Sequence, residues 1–182
     1  YFMKHIIVFV FVGIFSFSTQ AQRDNQLKQQ KMKIEVWSDI MCPFCYIGKR
    51  NYEAALAQFK DAEHIELVWK SFQLDPTVPQ GKIEQSTYEY LAARKGWSME
   101  QCREIHASVT QTAKVAGLTY DFDNAKVSNS FNAHRIIQLA KTKGWGDQAE
   151  EQFFKAYFTD GKDLNDKKDL LEIATLIGLT EA

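Results

Sequence analysis

Lys33-Ile34-Glu35-Val36-Trp37-Ser38-Asp39-Ile40-Met41-Cys42-Pro43-Phe44-Cys45-Tyr46-Ile47-Gly48 decides how the rest of this 182-residue chain is read. Its first five residues are β-branched or aromatic at alternate positions, which predicts a short strand. Beyond the cysteines, Phe44, Ile47, Tyr52, Ala55 and Phe59 recur at roughly helical spacing and predict a helix of about four turns. The cysteines therefore fall where a strand hands over to a helix. The first amides of a helix lack intrahelical acceptors, and the dipole there favours negative charge. A sulfur at Cys42 meets those amides, and Pro43 suits the first helical position, where its missing N–H costs nothing. Cys45 lies three residues on, within reach for a small disulfide ring. One thiolate to attack and a second thiol to resolve is what thiol–disulfide exchange needs.

Two blander readings compete, a structural disulfide and half of a zinc site. Zinc takes four ligands, normally in two pairs. The third cysteine, Cys102, has only His106 near it, which leaves the second pair incomplete. No metal and no cofactor are expected, and redox work by Cys42 and Cys45 is the favoured reading.

Formal charge −1 and 45% hydrophobic residues describe one or two modest globular units with a real core. Basic residues are scattered rather than striped, so nucleic acid is not an expected partner. Residues 1–21 read as a signal peptide: Met3-Lys4-His5 gives a short basic start, Ile6 to Phe15 an apolar run, and Ser16 to Ala21 a small, polar exit. Cleavage after Ala21 implies a periplasmic or secreted protein without stable membrane insertion. Translation from Met32 would instead give a cytoplasmic one. Residues 22–32 read as a flexible lead-in.

The second strand runs from Ile65 to Leu74, alternating but largely apolar, as in a sheet covered on both faces. Strand, helix and strand over 33–80 form a βαβ unit. Residues 81–160 read as an all-helical domain and 161–182 as a helix returning toward the first part. Ser86 or Thr87 opens one helix, closed by Gly96, and Ser98 to Gln101 is a capping box for the next. Another helix starts near Ser128. Asp147-Gln148-Ala149-Glu150 reads as a further capping box, ahead of the aromatics Phe153, Phe154, Tyr157 and Phe158. The last helix spans Asp166 to Ile177, with Gly178 as its stop.

Ser-Asp-x-x-Cys-Pro-Phe-Cys-Tyr-x-Gly between strand and helix resembles the thioredoxin-fold oxidoreductases of the DsbA superfamily, in particular the FrnE-like branch. Phe72-Gln73-Leu74, Gly117-Leu118-Thr119-Tyr120 and Asn129-Ser130-Phe131-Asn132-Ala133-His134-Arg135 extend the resemblance over residues 32–182. It implies an α/β, thioredoxin-like fold with an inserted all-helical domain. The implied activity is dithiol–disulfide exchange with protein or peptide thiols and disulfides. By motif, Cys42 matches the nucleophile, Cys45 the resolving cysteine, and Pro43 and Phe44 the dipeptide that tunes the couple. Without the histidine of the Cys-Pro-His-Cys type, the couple is expected to be less oxidising. The family's cis-proline and C-terminal strand pair have no match, so the native protein is expected to continue beyond Ala182 by about 30 to 50 residues.

The same resemblance leaves two other functions open. One is a kappa-type glutathione transferase or 2-hydroxychromene-2-carboxylate isomerase, whose members typically carry serine at the position of Cys42. The other is a non-catalytic peptide-binding module in which the CxxC is a staple. Among the remaining residues, Cys102 reads as core, on a stripe with Ile105, Val109, Ala113 and Ala116. His134 reads as a satisfied structural histidine, His64 and His106 as surface or boundary residues, and Asp39 as an exposed loop carboxylate.

Overall fold

The computed structural model describes residues 31–180, so the segment expected to be a signal peptide and most of the expected lead-in lie outside the described residues. Strand β1 covers Met32–Ser38 and leads through a tight turn into helix α1, Pro43–Ala57. A 3-10 turn at Ala62–His64 precedes strand β2, Ile65–Ser71. Five helices follow: α2 (Thr87–Lys95), α3 (Met99–Val115), α4 (Phe131–Thr142), α5 (Gly146–Phe158) and α6 (Lys167–Ile177). Among the described residues the two strands form one small sheet. Glu35 pairs with Lys70 at 3.0 Å and the Ser38 carbonyl accepts from the Phe72 amide at 3.0 Å, so the strands run in the same direction with α1 as the crossover.

By contacts the chain divides into two compact units. One holds the beginnings of both strands, through Ile34 and then Phe59–Val68, with the 3-10 turn. Among the described residues the second holds Glu35–Gln58 and the chain from Trp69 onward, including Cys42 and Cys45 and all the helices that carry the core.

In the second unit, α1 contributes Tyr46 and Ile47 to the core, α3 Val109 and Ala113, α4 Ile137, α5 Phe153, Phe154 and Phe158, and α6 Ile173 and Ile177. Tyr46 stacks on Phe154 with ring centres 4.9 Å apart, and Tyr120 on Phe158 at 4.6 Å. Such offset pairs add to the apolar burial that holds the helices together.

Local signals explain most helix ends. Ser86 with Glu89 and Ser98 with Gln101 form reciprocal capping boxes. The Asp166 side chain accepts from the amides of Lys168 and Asp169. Gly178 closes α6 at φ 94°, a left-handed conformation that a Cβ would penalise.

Three expectations fail. The residues 147–150 do not cap α5, which begins at Gly146 after Trp145 with no side-chain cap. Asp147 instead accepts from the Trp69 indole at 3.2 Å and pairs with Lys49 at 3.2 Å. The stripe on α1 is also displaced: Phe44 and Phe59 are exposed, while Tyr46, Ile47 and Lys49 are buried. This helix packs on α5 partly through ions, with Lys49 among Glu53, Asp147 and Glu151 and Arg50 on Glu151. Finally, Phe72 and Leu74 are exposed rather than covered. The Leu74 amide donates to the Asp39 carboxylate at 2.7 Å instead of a strand partner, so the chain has left the ladder there.

Candidate functional site

Cys42 is the N-cap residue of α1, with extended backbone (φ −92°, ψ 110°), and Pro43 occupies the first helical turn. The Cys42 amide donates to the Asp39 carbonyl at 2.9 Å and its own carbonyl accepts from the Cys45 amide at 3.0 Å. Both thiols are free and half-buried. Cys45 packs against the core cluster. Cys42 lines a cavity of about 350 Å³ together with Pro43, Phe44, Leu74, His106 and Tyr157. That volume is within the range of small-ligand sites. Arg94, paired with Asp75 at 2.9 Å, and Lys95 add charge to its lining.

The two thiols titrate as one unit. Cys42 donates to Cys45, and this hydrogen bond, against the opposing effect of burial, brings the Cys45 thiol down to about 6 with help from the Asp39 amide and the Ser38 side chain. The same bond pushes Cys42 up, as do burial and the charge on Cys45, while the amides of Cys45 and Phe44 pull it down. The pair thus shares one proton and one negative charge, with the Cys42 sulfur beside the helix amides and the Cys45 sulfur packed against the core. Movement of that one proton between the sulfurs transfers the charge to Cys42, where the helix amides receive it.

Asp39 departs most from its expected place. It is buried, at 2% exposure, and not a solvated loop carboxylate. Its carboxylate accepts from the amides of Met41 at 3.2 Å and Leu74 at 2.7 Å, and His134 Nε2 lies 3.4 Å away. Burial alone would raise this carboxyl; the donors His134, Leu74, Ser130 and Met41 outweigh it and hold the group below its usual range. His134 is buried on α4, and neither ring nitrogen has a regular hydrogen-bond partner among the described residues, Nε2 only approaching the Asp39 carboxylate. It is structural in the sense of holding Asp39, yet not fully satisfied.

His106 is buried as well, not a surface residue: its Nδ1 lies 2.7 Å from the Cys102 carbonyl and its ring packs between Tyr88 and Phe122, each 4.4 Å away. A carbonyl only accepts, so Nδ1 carries the proton there. Cys102 is fully buried on α3.

The scattered segments that carried the resemblance converge on the dithiol loop. Tyr120 donates its hydroxyl to the Pro43 carbonyl at 2.7 Å. Gln73 donates to Asn129 at 2.9 Å, whose own amide nitrogen donates to the Val78 carbonyl at 2.6 Å. Leu74 and His134 meet at Asp39 from opposite sides of the sequence. Sequence reasoning missed Glu150, which is fully buried with neither carboxylate oxygen hydrogen-bonded among the described residues. The signal was present, since Phe153 and Phe154 follow it at i+3 and i+4 and so share its face.

A free thiol pair at the start of a helix, after a strand in a βαβ unit and under a helical layer, defines a thioredoxin-like dithiol scaffold with a helical insertion. The family of DSBA-like thioredoxin domains matches residues 33–182, and the chain belongs to it. The crystal structure of a probable DsbA oxidoreductase, SCO1869 of Streptomyces coelicolor, superposes with a TM-score of 0.77 and 35% identity, covering 82% of this chain and 64% of that one. The chain thus spans just under two thirds of that relative's length. The cytosolic disulfide reductase DsbM of Pseudomonas aeruginosa shares the fold, with a TM-score of 0.55 and 16% identity over 81% of this chain and 65% of its own. An uncharacterised protein of Bacillus subtilis, YwbO, is 26% identical over 152 residues, 82% of this chain and 68% of that protein. Among the described residues no group of histidine, cysteine and acidic side chains could hold a metal ion, and no helix is long and apolar enough to cross a membrane.

Proposed function

We propose that this protein exchanges disulfides with protein or peptide substrates through Cys42 as the attacking sulfur and Cys45 as the resolving one. The observation that carries the assignment is asymmetric access: Cys42 lines the cavity and Cys45 packs against the core. Membership of a family of thiol–disulfide oxidoreductases supports the chemistry. In the reducing direction the Cys42 thiolate attacks a substrate disulfide and expels one substrate thiolate. The Cys45 thiolate then attacks the Cys42 sulfur of the mixed disulfide and releases the other. The oxidising direction is the reverse, and the potential of the couple against its partner sets which one runs. Pro43 and Phe44 occupy the helix start and tune that potential.

The same reading assigns residues 33–80 to the redox portion, 81–160 to a helical insertion that walls the cavity, and 161–182 to the returning helix. It places the work outside the cytoplasm, on the secretory features of residues 3–21. N-terminal sequencing of exported material should find Gln22 first; Met3 retained would overturn the placement.

Mutagenesis with a disulfide-bonded peptide tests the roles. Cys42→Ser should abolish exchange, and Cys45→Ser should accumulate mixed disulfides. Iodoacetamide given to the reduced protein should modify Cys42 well ahead of Cys45. Equal alkylation of both, or exchange that survives Cys42→Ser, would sink the assignment.

A further inference from the structure

Glu150 is an anomaly that the exchange steps do not use. It is at 0% exposure on α5, and neither carboxylate oxygen has a hydrogen-bond partner among the described residues. Buried carboxylates are normally paired, because an unpaired one forfeits its hydration without return. Its surroundings tie it to the dithiol helix. One turn before it, Asp147 reaches Lys49 of α1; the next residue, Glu151, accepts from Tyr46 at 2.6 Å and pairs with Arg50; one turn after it, Phe154 stacks on Tyr46. Tyr46 directly follows Cys45. Glu150 is thus bracketed by side chains that grip the first two turns of α1, on the core side of the pair.

We propose that Glu150 is the proton store of the redox couple, taking up a proton when Cys42 and Cys45 are reduced and returning it when they are oxidised. The inference rests on the exchange reading given above. The reaction balances as follows. A substrate dithiol gives two electrons to the Cys42–Cys45 disulfide and becomes a disulfide itself. Of its two protons, one stays between the two cysteine sulfurs, and the other divides between the Glu150 carboxylate, where that is ionised, and solvent, in the proportion that the pH sets. Where Glu150 takes the proton, the negative charge moves from Glu150 to the dithiol, and no net charge is added to the core.

The electrostatics agree. Burial, the largest influence, pushes Glu150 up to about 8; Lys141 of α4 pulls it down, Cys45 of α1 and Asp147 of its own helix push it up, and Lys49 of α1 pulls it down. The residues that α6 buries, Leu170, Ile173, Ala174 and Ile177, are apolar. When Cys45 enters the disulfide its charge vanishes, and that upward push goes with it. Glu150 therefore binds its proton more tightly in the reduced protein, and by linkage reduction draws protons in around neutral pH. Glu150 acts on the sulfurs through the field and is a positioning residue.

The experiment equilibrates the full chain with glutathione buffers from pH 5 to 9 and fits the pH slope of the equilibrium constant for reduction. It compares the protein with Glu150→Gln and Glu150→Leu. Between pH 6.5 and 8 the unaltered protein should take up a measurable fraction of a proton more per reduction than either variant, with the slopes merging near pH 5. A second readout needs no variant: infrared difference spectra at pH 7.5 should show a protonated carboxyl band gained on reduction. Equal slopes, or no such band, would overturn the proton store while leaving exchange intact. Failure of the Cys42–Cys45 pair to equilibrate with glutathione at all would overturn the exchange reading instead.

Discussion

Two buried carboxylates flank the dithiol, and they behave in opposite ways. Asp39, in the turn between β1 and α1, has donors from Met41, Leu74, Ser130 and His134 and is held below the usual carboxylate range. Glu150, on α5, has no hydrogen bond among the described residues, and burial pushes it up to about 8. Burial is the first influence on both. The difference is the supply of donors: where the ionised form is hydrogen-bonded, burial is overcome, and where it is not, the neutral form wins. One carboxylate is a fixed charge that shapes the loop, and the other is free to titrate. A redox site can use both.

Asp39→Ala should break the comparison most severely. It strands two backbone amides and removes the anion beside His134, a loss on the order of 3–5 kcal/mol by analogy with other broken buried polar networks. Exchange should fall with stability, because the Asp39 turn also holds the Cys42 amide. Urea unfolding with exchange assays measures both, and a variant of unaltered midpoint would show that the network is decorative. The contribution of Asp39 has a defined sign. Its lowered folded-state value means stability present above the unfolded value and lost as pH falls through the folded one.

Glu150→Leu should act in the opposite direction. A raised carboxyl gives stability that is complete below its unfolded value and erodes as pH rises toward about 8. The leucine variant should therefore gain on the order of 2–4 kcal/mol at pH 9, with little change at pH 4.5, each displaced pKa unit corresponding to about 1.4 kcal/mol. Thermal melts at the two values decide it; a gain independent of pH would mean simple repacking.

His134→Gln tests how far one donor matters to Asp39. A loss of about 1–2 kcal/mol is expected near neutral pH, shrinking toward acid as Asp39 takes up its proton and its lowered folded-state value ceases to contribute. A flat pH profile of the difference would detach the histidine from the carboxylate. Smallest of all, Cys102→Ala should cost at most about 1 kcal/mol and leave exchange intact, since this buried thiol fills space without any required polar partner. A large fall in turnover would bring the third thiol into the chemistry.

Local physics made part of this legible in the chain. The strand–Cys-Pro-Phe-Cys–helix junction, the capping boxes at Ser86 and Ser98, the Asp166 cap and the stop at Gly178 all depend on residues within a turn of one another, so spacing reveals them. The same spacing misled at Asp147 to Glu150, where the carboxylates serve α1 and the buried interior rather than their own helix. Asp39 and His134 could be seen as members of separate segments but not as partners, because nothing in the order of residues says that they meet 3.4 Å apart. Residue type and near-neighbour spacing thus determined the elements and the placing of Cys42 and Cys45 at a strand–helix junction. Which carboxylate is satisfied and which sulfur lines the cavity were decided only in three dimensions, since burial and donor supply arise from contacts between residues distant in the chain.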